Sequence, residues 1–252
     1  MTWWTLPLGM VVGAVMGSLG GGGAILTVPL LVYLLHQSPH VATEGSLVII
    51  AISSLVGLWP HARGGRVRWF DGALFGALGI VGSMAGSAAA SRVPGAVLLS
   101  LFSVLLLVVA GLMFRSGRRG RSDGAGVPRP FWQLLLTATA VGMLTGFFGV
   151  GGGFAVVPAL ILVLGFPVRQ AIGTSLLVIA INCLTALGSR LAIGVHLDWA
   201  VILPFAVGAS LGSLAGGRIA RLADPRHLQF AFACLLVGLS LWIGVQNIPA
   251  LF

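Results

Sequence analysis

The sequence predicts an all-α polytopic membrane protein made of two inverted repeats, each with about five apolar segments. Three observations support this fold class. The chain is 58% hydrophobic and only 8% charged, whereas a soluble domain has about 25% charged residues. The second half of the chain repeats the first half, and the arginines collect in a few short loops.

The charge balance fits a membrane protein better than a nucleic-acid-binding protein. The net charge is +9, from 14 basic and 5 acidic residues. A soluble protein of this charge would suggest nucleic acid, but these arginines lie between apolar runs, where they indicate topology. We expect the lipid bilayer as a partner and no nucleic acid. Two isolated cysteines without a CxxC or Cys/His cluster predict no metal, and we expect no cofactor.

The apolar segments fall into two groups of five on either side of a polar linker. The first group covers residues 4–19, 24–35, 45–59, 69–90 and 96–114. The second covers residues 131–148, 154–164, 173–188, 199–216 and 228–245. We therefore divide the chain into transmembrane repeat 1 (residues 1–114), a linker (115–130) and transmembrane repeat 2 (131–252).

The duplication is visible without gaps at an offset of 129 residues. This offset pairs Gly17 with Gly146, and Pro29 with Pro158. It also matches seven of the fourteen positions of residues 42–55 with residues 171–184. Internal duplication of this kind is typical of transporter folds.

Each repeat begins with a long apolar run that is broken by glycines, at residues 20–23 and at residues 149–153. An unbroken helix over residues 4–35 would be about 48 Å long, against a hydrocarbon core of roughly 30 Å. Consecutive glycines break a helix. In a membrane, such a break must be buried in protein or line a wet cavity. Each repeat therefore begins with a hairpin, and re-entrant and paired crossing helices both remain open.

The arginines favour an inverted over a parallel arrangement of the repeats. If each hairpin returns the chain to the side of the membrane from which it came, one face of the protein carries 12 arginines and the other carries only Arg92 and Arg190. Parallel repeats would give 9 against 5. The positive-inside rule selects the first arrangement, with the linker at residues 115–130 cytoplasmic and both termini outside.

The restarted helices predict a site for an anion. We expect helices to begin again at Ala24 and Phe154, where unpaired N–H groups and the helix dipole favour negative charge. Two such ends that meet would bind an anion without a buried cation. Close packing through small residues is the alternative. The candidate main-chain residues are Gly22, Gly23, Ala24, Gly152, Gly153 and Phe154.

Polar side chains near the hairpins are further candidates. Ser46, Thr174 and Ser175 open the next apolar segments, where a hydroxyl either bonds to the backbone of a helix start or donates to an oxyanion. Ser53 and Asn182 occupy equivalent positions two turns further in. Polar groups at that depth are usually paired or functional.

Three charged or titratable residues have two interpretations each. Glu44 is either a proton carrier or an exposed loop residue. His61 and Arg190, which the offset aligns, either attract anions at an entrance or contact headgroups. No Ser/His/Asp or paired-carboxylate pattern lies at membrane depth, so we do not expect an enzyme.

The glycine and serine patterns resemble the TauE/SafE family, the sulfite exporter or toluene-sulfonate uptake family. The matching residues of the second half are Gly146, Gly149, Gly151, Gly152, Pro158, Ala171, Gly173, Thr174, Ser175 and Leu176. The first half matches at Gly17, Gly20, Gly22, Gly23, Pro29, Ala42, Ser46 and Leu47 but has Glu44-Gly45-Ser46 in place of Gly-Thr-Ser.

The resemblance implies a secondary transporter in the bacterial cytoplasmic membrane. Its implied substrate is a small sulfur-containing anion such as sulfite or a sulfonate, exported by alternating access at the repeat interface. A proton is the candidate coupling ion. A passive anion channel, an uptake permease for organosulfonates and a membrane scaffold are the alternatives. The oligomeric state, a homodimer included, stays open.

Overall fold

The computed structural model describes residues 4–37, 39–90, 95–118, 131–148, 153–191 and 197–247. Within them the chain forms ten α-helices and one short π-helix, which confirms the predicted all-α fold. The helices are α1 (Thr5–Leu19), α2 (Gly22–Pro29), α3 (Pro39–Arg63), α4 (Trp69–Ala90), α5 (Gly95–Arg118), α6 (Phe131–Phe148), α7 (Gly153–Leu162), α8 (Val168–Leu191), α9 (Trp199–Leu222) and α10 (Pro225–Asn247).

Seven of these helices are long and apolar enough to cross a membrane. The three shorter apolar stretches are Thr5–Leu19, Gly22–Leu34 and Gly153–Leu162, all of which belong to the predicted hairpins. By chain order and the offset, α6 to α10 are the counterparts of α1 to α5. These three stretches are too short to span the hydrocarbon core as single crossings, whereas α6, the first helix of the second hairpin, is long enough.

The first hairpin turns at Gly20 and Gly21. Gly20 has a φ of +74°, a conformation that favours glycine, and α2 begins at Gly22. A Cβ added at Gly23 would lie 2.6 Å from the Val12 carbonyl oxygen, so α2 folds back along α1. The predicted helix start at Ala24 is two residues late, because Gly22 and Gly23 already lie in the first turn. A π-helix, Leu30–Leu34, follows Pro29, which has no N–H for the regular ladder.

Close helix contacts through glycine join the first helix of each half to the fourth helix of the other half. On α1, a Cβ added at Gly9, Gly13 or Gly17 would lie 2.3, 1.9 or 2.1 Å from a carbonyl oxygen of α9. The same relation holds between α6 and α4, where a Cβ at Gly142 would lie 2.2 Å from the Gly79 carbonyl oxygen. Small residues every fourth position let these backbones approach.

Counterpart helices of the two halves pack against each other in opposite directions. In the α3–α8 pair, Gly173 faces His61 while Leu176 faces Gly57, so the residue numbers run in opposite senses. In the α5–α10 pair, Gln229 Nε2 donates to the Met113 carbonyl at 3.0 Å. Further along, Ser240 Oγ donates to the Ser103 carbonyl at 2.8 Å. The two halves are thus interleaved rather than placed side by side.

The second helix of the second hairpin, α7, lies in the interior of this assembly. Every residue of α7 from Gly153 to Ile161 is buried, as expected for a helix that is apolar on all sides. Phe154 packs edge-on against Phe102 of α5, with ring centroids 5.1 Å apart. Gly149 to Gly152, the predicted turn of this hairpin, lie outside the described residues.

Candidate functional site

The two glycine hairpins meet through their main chains. A Cβ added at Gly21 would lie 1.6 Å from the Gly153 carbonyl oxygen, and one added at Gly153 would lie 2.8 Å from the Gly21 carbonyl oxygen. Both glycines are buried. The structure therefore brings the start of α2 and the start of α7 together, and any side chain at either position would separate them.

Apolar side chains occupy the space beside Gly22 and Gly23 where a Cβ would lie. A Cβ at Gly22 would lie 2.8 Å from Leu235 Cδ2, and one at Gly23 would lie 2.6 Å from Met16 Cβ. Ala24 and Phe154 are buried as well. No described side chain caps α2, so its first-turn N–H groups have no side-chain acceptor there. Gly152 lies outside the described residues.

Ser175 brings a hydroxyl to the first hairpin. A Cβ added at Gly20 would lie 2.5 Å from Ser175 Oγ. This hydroxyl donates to the Ile172 carbonyl at 2.8 Å, one turn back on α8. Its lone pairs face the turn, and donation to an anion would require the hydroxyl to rotate away from Ile172.

Ser46, Ser175 and Thr174 are not helix caps. Ser46 Oγ donates to the Thr43 carbonyl at 2.7 Å. Because α3 begins at Pro39 and α8 at Val168, these hydroxyls lie in the second turn and not at the helix start. The hydrogen bonds of Ser46 and Ser175 to backbone agree with the first of the two interpretations, and a role toward an anion stays a prediction. Thr174 is fully buried and accepts a hydrogen bond from the Arg68 N–H at 3.1 Å.

Ser53 and Asn182 differ although the offset makes them equivalent. Ser53 Oγ donates to the Ile49 carbonyl at 2.6 Å and lies 3.4 Å from Met16 Sδ. Asn182 is half-buried, and its Oδ1 is buried without a hydrogen-bond partner. Among the polar candidates of the described chain, Asn182 therefore keeps free capacity for hydrogen bonding, while Ser53 is engaged within its own helix.

Two interpretations of titratable residues need correction. Glu44 lies half-buried inside α3 and not in an exposed loop. His61 is fully buried, with Nε2 3.1 Å from the Gly17 carbonyl oxygen and Nδ1 without a partner, so it does not contact headgroups. Arg190 lies in α8, and its side chain is outside the described residues. The entrance role of His61 and Arg190 stays a prediction.

Ser213 is a contact that the sequence did not single out. Its Oγ donates to the Ser53 carbonyl at 3.0 Å and lies 1.9 Å from where a Gly57 Cβ would be. The available signal was the match between residues 82–86 and 212–216, which both read Gly-Ser-x-Ala-Gly. This serine holds α9 against α3 close to the depth of the hairpin turn.

One end of the assembly carries most of the described arginines. There, Arg68 Nε donates to Gln170 Oε1 at 3.2 Å and forms an ion pair with Asp71 at 3.5 Å. At the opposite end, Gln37 Nε2 donates a hydrogen bond to Asp198 Oδ2 at 3.0 Å. Arg68 and Asp198 each precede the fourth helix of their half, so the two ends use opposite charges at corresponding positions.

The comparisons with known proteins match nearly the whole chain. The family model for Sulfite exporter TauE/SafE matches residues 5–243. A probable membrane transporter protein of Xylella fastidiosa strain Temecula1 is 33% identical, over 95% of this chain and 93% of its own length. The probable membrane transporter protein YunE of Bacillus subtilis is 29% identical, over 91% and 92%. No solved structure gives a significant match.

Proposed function

The chain belongs to the TauE/SafE sulfite exporter family, and we propose that it exports a small sulfur-containing anion, such as sulfite or a sulfonate, by alternating access. Membership and the relatives' names make it a membrane transporter. The proposal adds the substrate class, the direction, the bacterial cytoplasmic membrane and a binding site between the two halves.

The observation that carries the proposal is the main-chain contact between Gly21 and Gly153. It joins the starts of two buried helices, whose unpaired N–H groups carry partial positive charge. Ser175 Oγ lies beside the turn of the first hairpin. Amides and a hydroxyl recognise an oxyanion without holding a permanent cation in the membrane, where a buried charge is costly.

The packing of counterpart helices supports inverted repeats. Because α3 and α8 run antiparallel, as do α5 and α10, a two-fold axis between the halves would lie across the helices. An axis in the membrane plane is the arrangement of many secondary transporters. We place the arginine-rich end and the linker at residues 115–130 in the cytoplasm, and both termini outside.

Flux into and out of proteoliposomes tests the proposal. Purified protein should move sulfite across the bilayer, and Ser175→Ala should lower the rate about tenfold if one hydroxyl donor to the anion is lost. Thr185→Ala is the matched control, since Thr185 lies on the same helix, bonds to its own backbone and is exposed. Normal flux through the Ser175→Ala protein would remove this hydroxyl from the site.

The same preparation separates the alternatives. Flux at channel rates that follows the membrane potential alone would identify a passive anion channel. Net uptake of an organosulfonate against its gradient would identify an uptake permease. Proton movement that accompanies sulfite, and disappears in Glu44→Gln, would assign the coupling role to Glu44.

A further inference from the structure

Three arginines converge where the loop after α3 packs on the start of α8. Arg66 lies in that loop, and a Cβ added at Gly173 would lie 2.7 Å from its carbonyl oxygen. Arg169 lies in the first turn of α8, and its Nη2 donates to the Ala223 carbonyl at 3.0 Å. Arg221 lies in the last turn of α9, two residues before Ala223. Three different elements therefore contribute one arginine each to this region, and the Arg66 guanidinium lies against Gly64, where an added Cβ would be 2.7 Å from its Nε.

No carboxylate of the described chain forms an ion pair with these three charges. Asp71 pairs with Arg68, and Asp224, which follows Ala223, accepts a hydrogen bond from the backbone N–H of Arg226 at 2.8 Å. No ion pair of the described residues joins Arg66, Arg169 or Arg221 to a carboxylate. Burial lowers the pKa of Arg66, and the charges of Arg169 and Arg221 lower it further. Like charges held together in this way favour the binding of an anion.

Two donor groups of the cluster are buried and unused. Arg66 Nη1 and Arg169 Nε have no hydrogen-bond partner, although a buried polar group without a partner is costly. Arg66 and Arg169 are half-buried as residues, while Arg221 is exposed. The cluster is thus open to solvent on one side and offers planar, charged donors of the kind that suit oxyanions.

We propose that Arg66, Arg169 and Arg221 form a binding site for a small oxyanion at the arginine-rich end of the protein. The site connects to the hairpins along the first turns of α8. The Arg68 N–H donates to Thr174, and the next residue, Ser175, lies beside Gly20. The distance from Arg169 to Ser175 along the helix is about 9 Å at 1.5 Å per residue. That the site loads the transport path rests on the proposed function; that it binds an oxyanion does not.

Calorimetric titration with sodium sulfite, using protein purified in a neutral detergent, tests the site. Arg66→Gln and Arg169→Gln should each weaken binding about tenfold, because each removes a charged hydrogen-bond donor, and binding should weaken with added salt. Arg226→Gln is the matched control, an exposed arginine at the same end whose loss should leave the affinity unchanged. Equal affinities of all these proteins would overturn the proposal.

The phosphate of an anionic lipid offers the same chemistry, and a second arm identifies the source. In nanodiscs of phosphatidylcholine, a site for free anions should bind sulfite as it does in detergent. If a lipid headgroup occupies the cluster, added phosphatidylglycerol should compete with sulfite, and co-purified phosphatidylglycerol should fall in Arg66→Gln. Absence of both sulfite binding and lipid enrichment would overturn the site.

Two further measurements keep the outcomes distinct. If a glutamine variant fails to fold, Arg66→Lys and Arg169→Lys decide, since they keep the charge and lose the planar fork. A several-fold loss of affinity then supports the site, and unchanged affinity contradicts it. If the unaltered protein transports sulfite and the Arg66 and Arg169 variants keep normal flux and affinity, the arginine site is wrong and the proposed function stands. If sulfite binds at the cluster but no flux is measured, the proposed function is wrong and the site stands.

Discussion

Asn182 shows what a single buried side chain contributes. Its Oδ1 has no partner, although a buried polar atom without one costs about 1–3 kcal/mol. A residue kept for stability alone would be better as leucine. The unused oxygen is an acceptor, so it suits a water molecule or a donor group on the transport path that we propose.

We predict that Asn182→Leu lowers sulfite flux severalfold while its unfolding temperature stays the same or rises. The expected stability follows from removing an unpaired amide. The flux loss follows from our proposal that this amide lines the transport path. Flux in proteoliposomes and thermal unfolding by size exclusion measure both. Ser210→Ala is the control, because Ser210 Oγ is also buried without a partner. Asn182→Leu protein with normal flux would contradict the path assignment.

The sequence predicts the candidate site residues better than it predicts their hydrogen bonds and burial. Duplication of the chain singled out Ser175 and Asn182, because equivalent positions carry polar groups. The hydrogen bond of Ser175 to the Ile172 carbonyl is one of its two predicted interpretations, but it lies in the second turn because α8 begins five residues before the predicted start. Pro39 gave a usable signal for α3, since proline favours the first helical position. The burial of His61 depends on contacts with α1, which the sequence does not reveal.

At the scale of helices, glycine determines which elements approach each other. Gly13 lies at the middle of the α1–α9 contact, where an added Cβ would lie 1.9 Å from the Ala209 carbonyl oxygen. Since the obstacle is backbone, a larger residue must push the helices apart. Packed membrane helices cannot absorb such a shift at one point only.

Gly13→Ala should therefore destabilise the protein, by about 1–3 kcal/mol for overpacking of a tight contact. The matched control is Gly238→Ala, because a Cβ added at Gly238 in α10 meets nothing within 4 Å. The melting temperatures in detergent check this prediction. A Gly13→Ala protein as stable as Gly238→Ala would show that the α1–α9 contact is looser than described.

Element boundaries were predictable where aromatic residues mark them. The bounds of α4 (Trp69–Ala90) and α6 (Phe131–Phe148) agree with the predicted segments. The helix α2 begins two residues before the predicted start because Gly22 and Gly23 do not break it. In the structure their missing side chains admit Leu235 and Met16, so tertiary packing outweighs the low helix propensity of glycine.

At the scale of the whole molecule, the arginine-rich end is formed by the ends of six helices from both halves. Contacts bring together the end of α3, the starts of α4, α8 and α10, and the ends of α5 and α9. These ends hold arginines that the sequence assigns to the cytoplasm by the positive-inside rule. The pairing of α1 with α9 was not predictable, since the repeat defines counterparts but not neighbours.

A cysteine at position 120 should react from the cytoplasmic side only. The test uses Gly120→Cys in a background without Cys183 and Cys234, and an impermeant maleimide applied to intact cells and to inverted vesicles. Gly194→Cys, in the loop predicted on the opposite face, is the control with the reverse pattern. Labelling of position 120 in intact cells would contradict both the linker assignment and the inverted topology.

The exchange of helices between halves also constrains how the chain matures in the membrane. The glycine-lined face of α1 is completed only by α9, which begins at Trp199. During synthesis, α1 must therefore remain in lipid without its final neighbour until most of the polypeptide has emerged. Insertion of the first half alone therefore leaves the glycine face of α1 without the helix that packs on it.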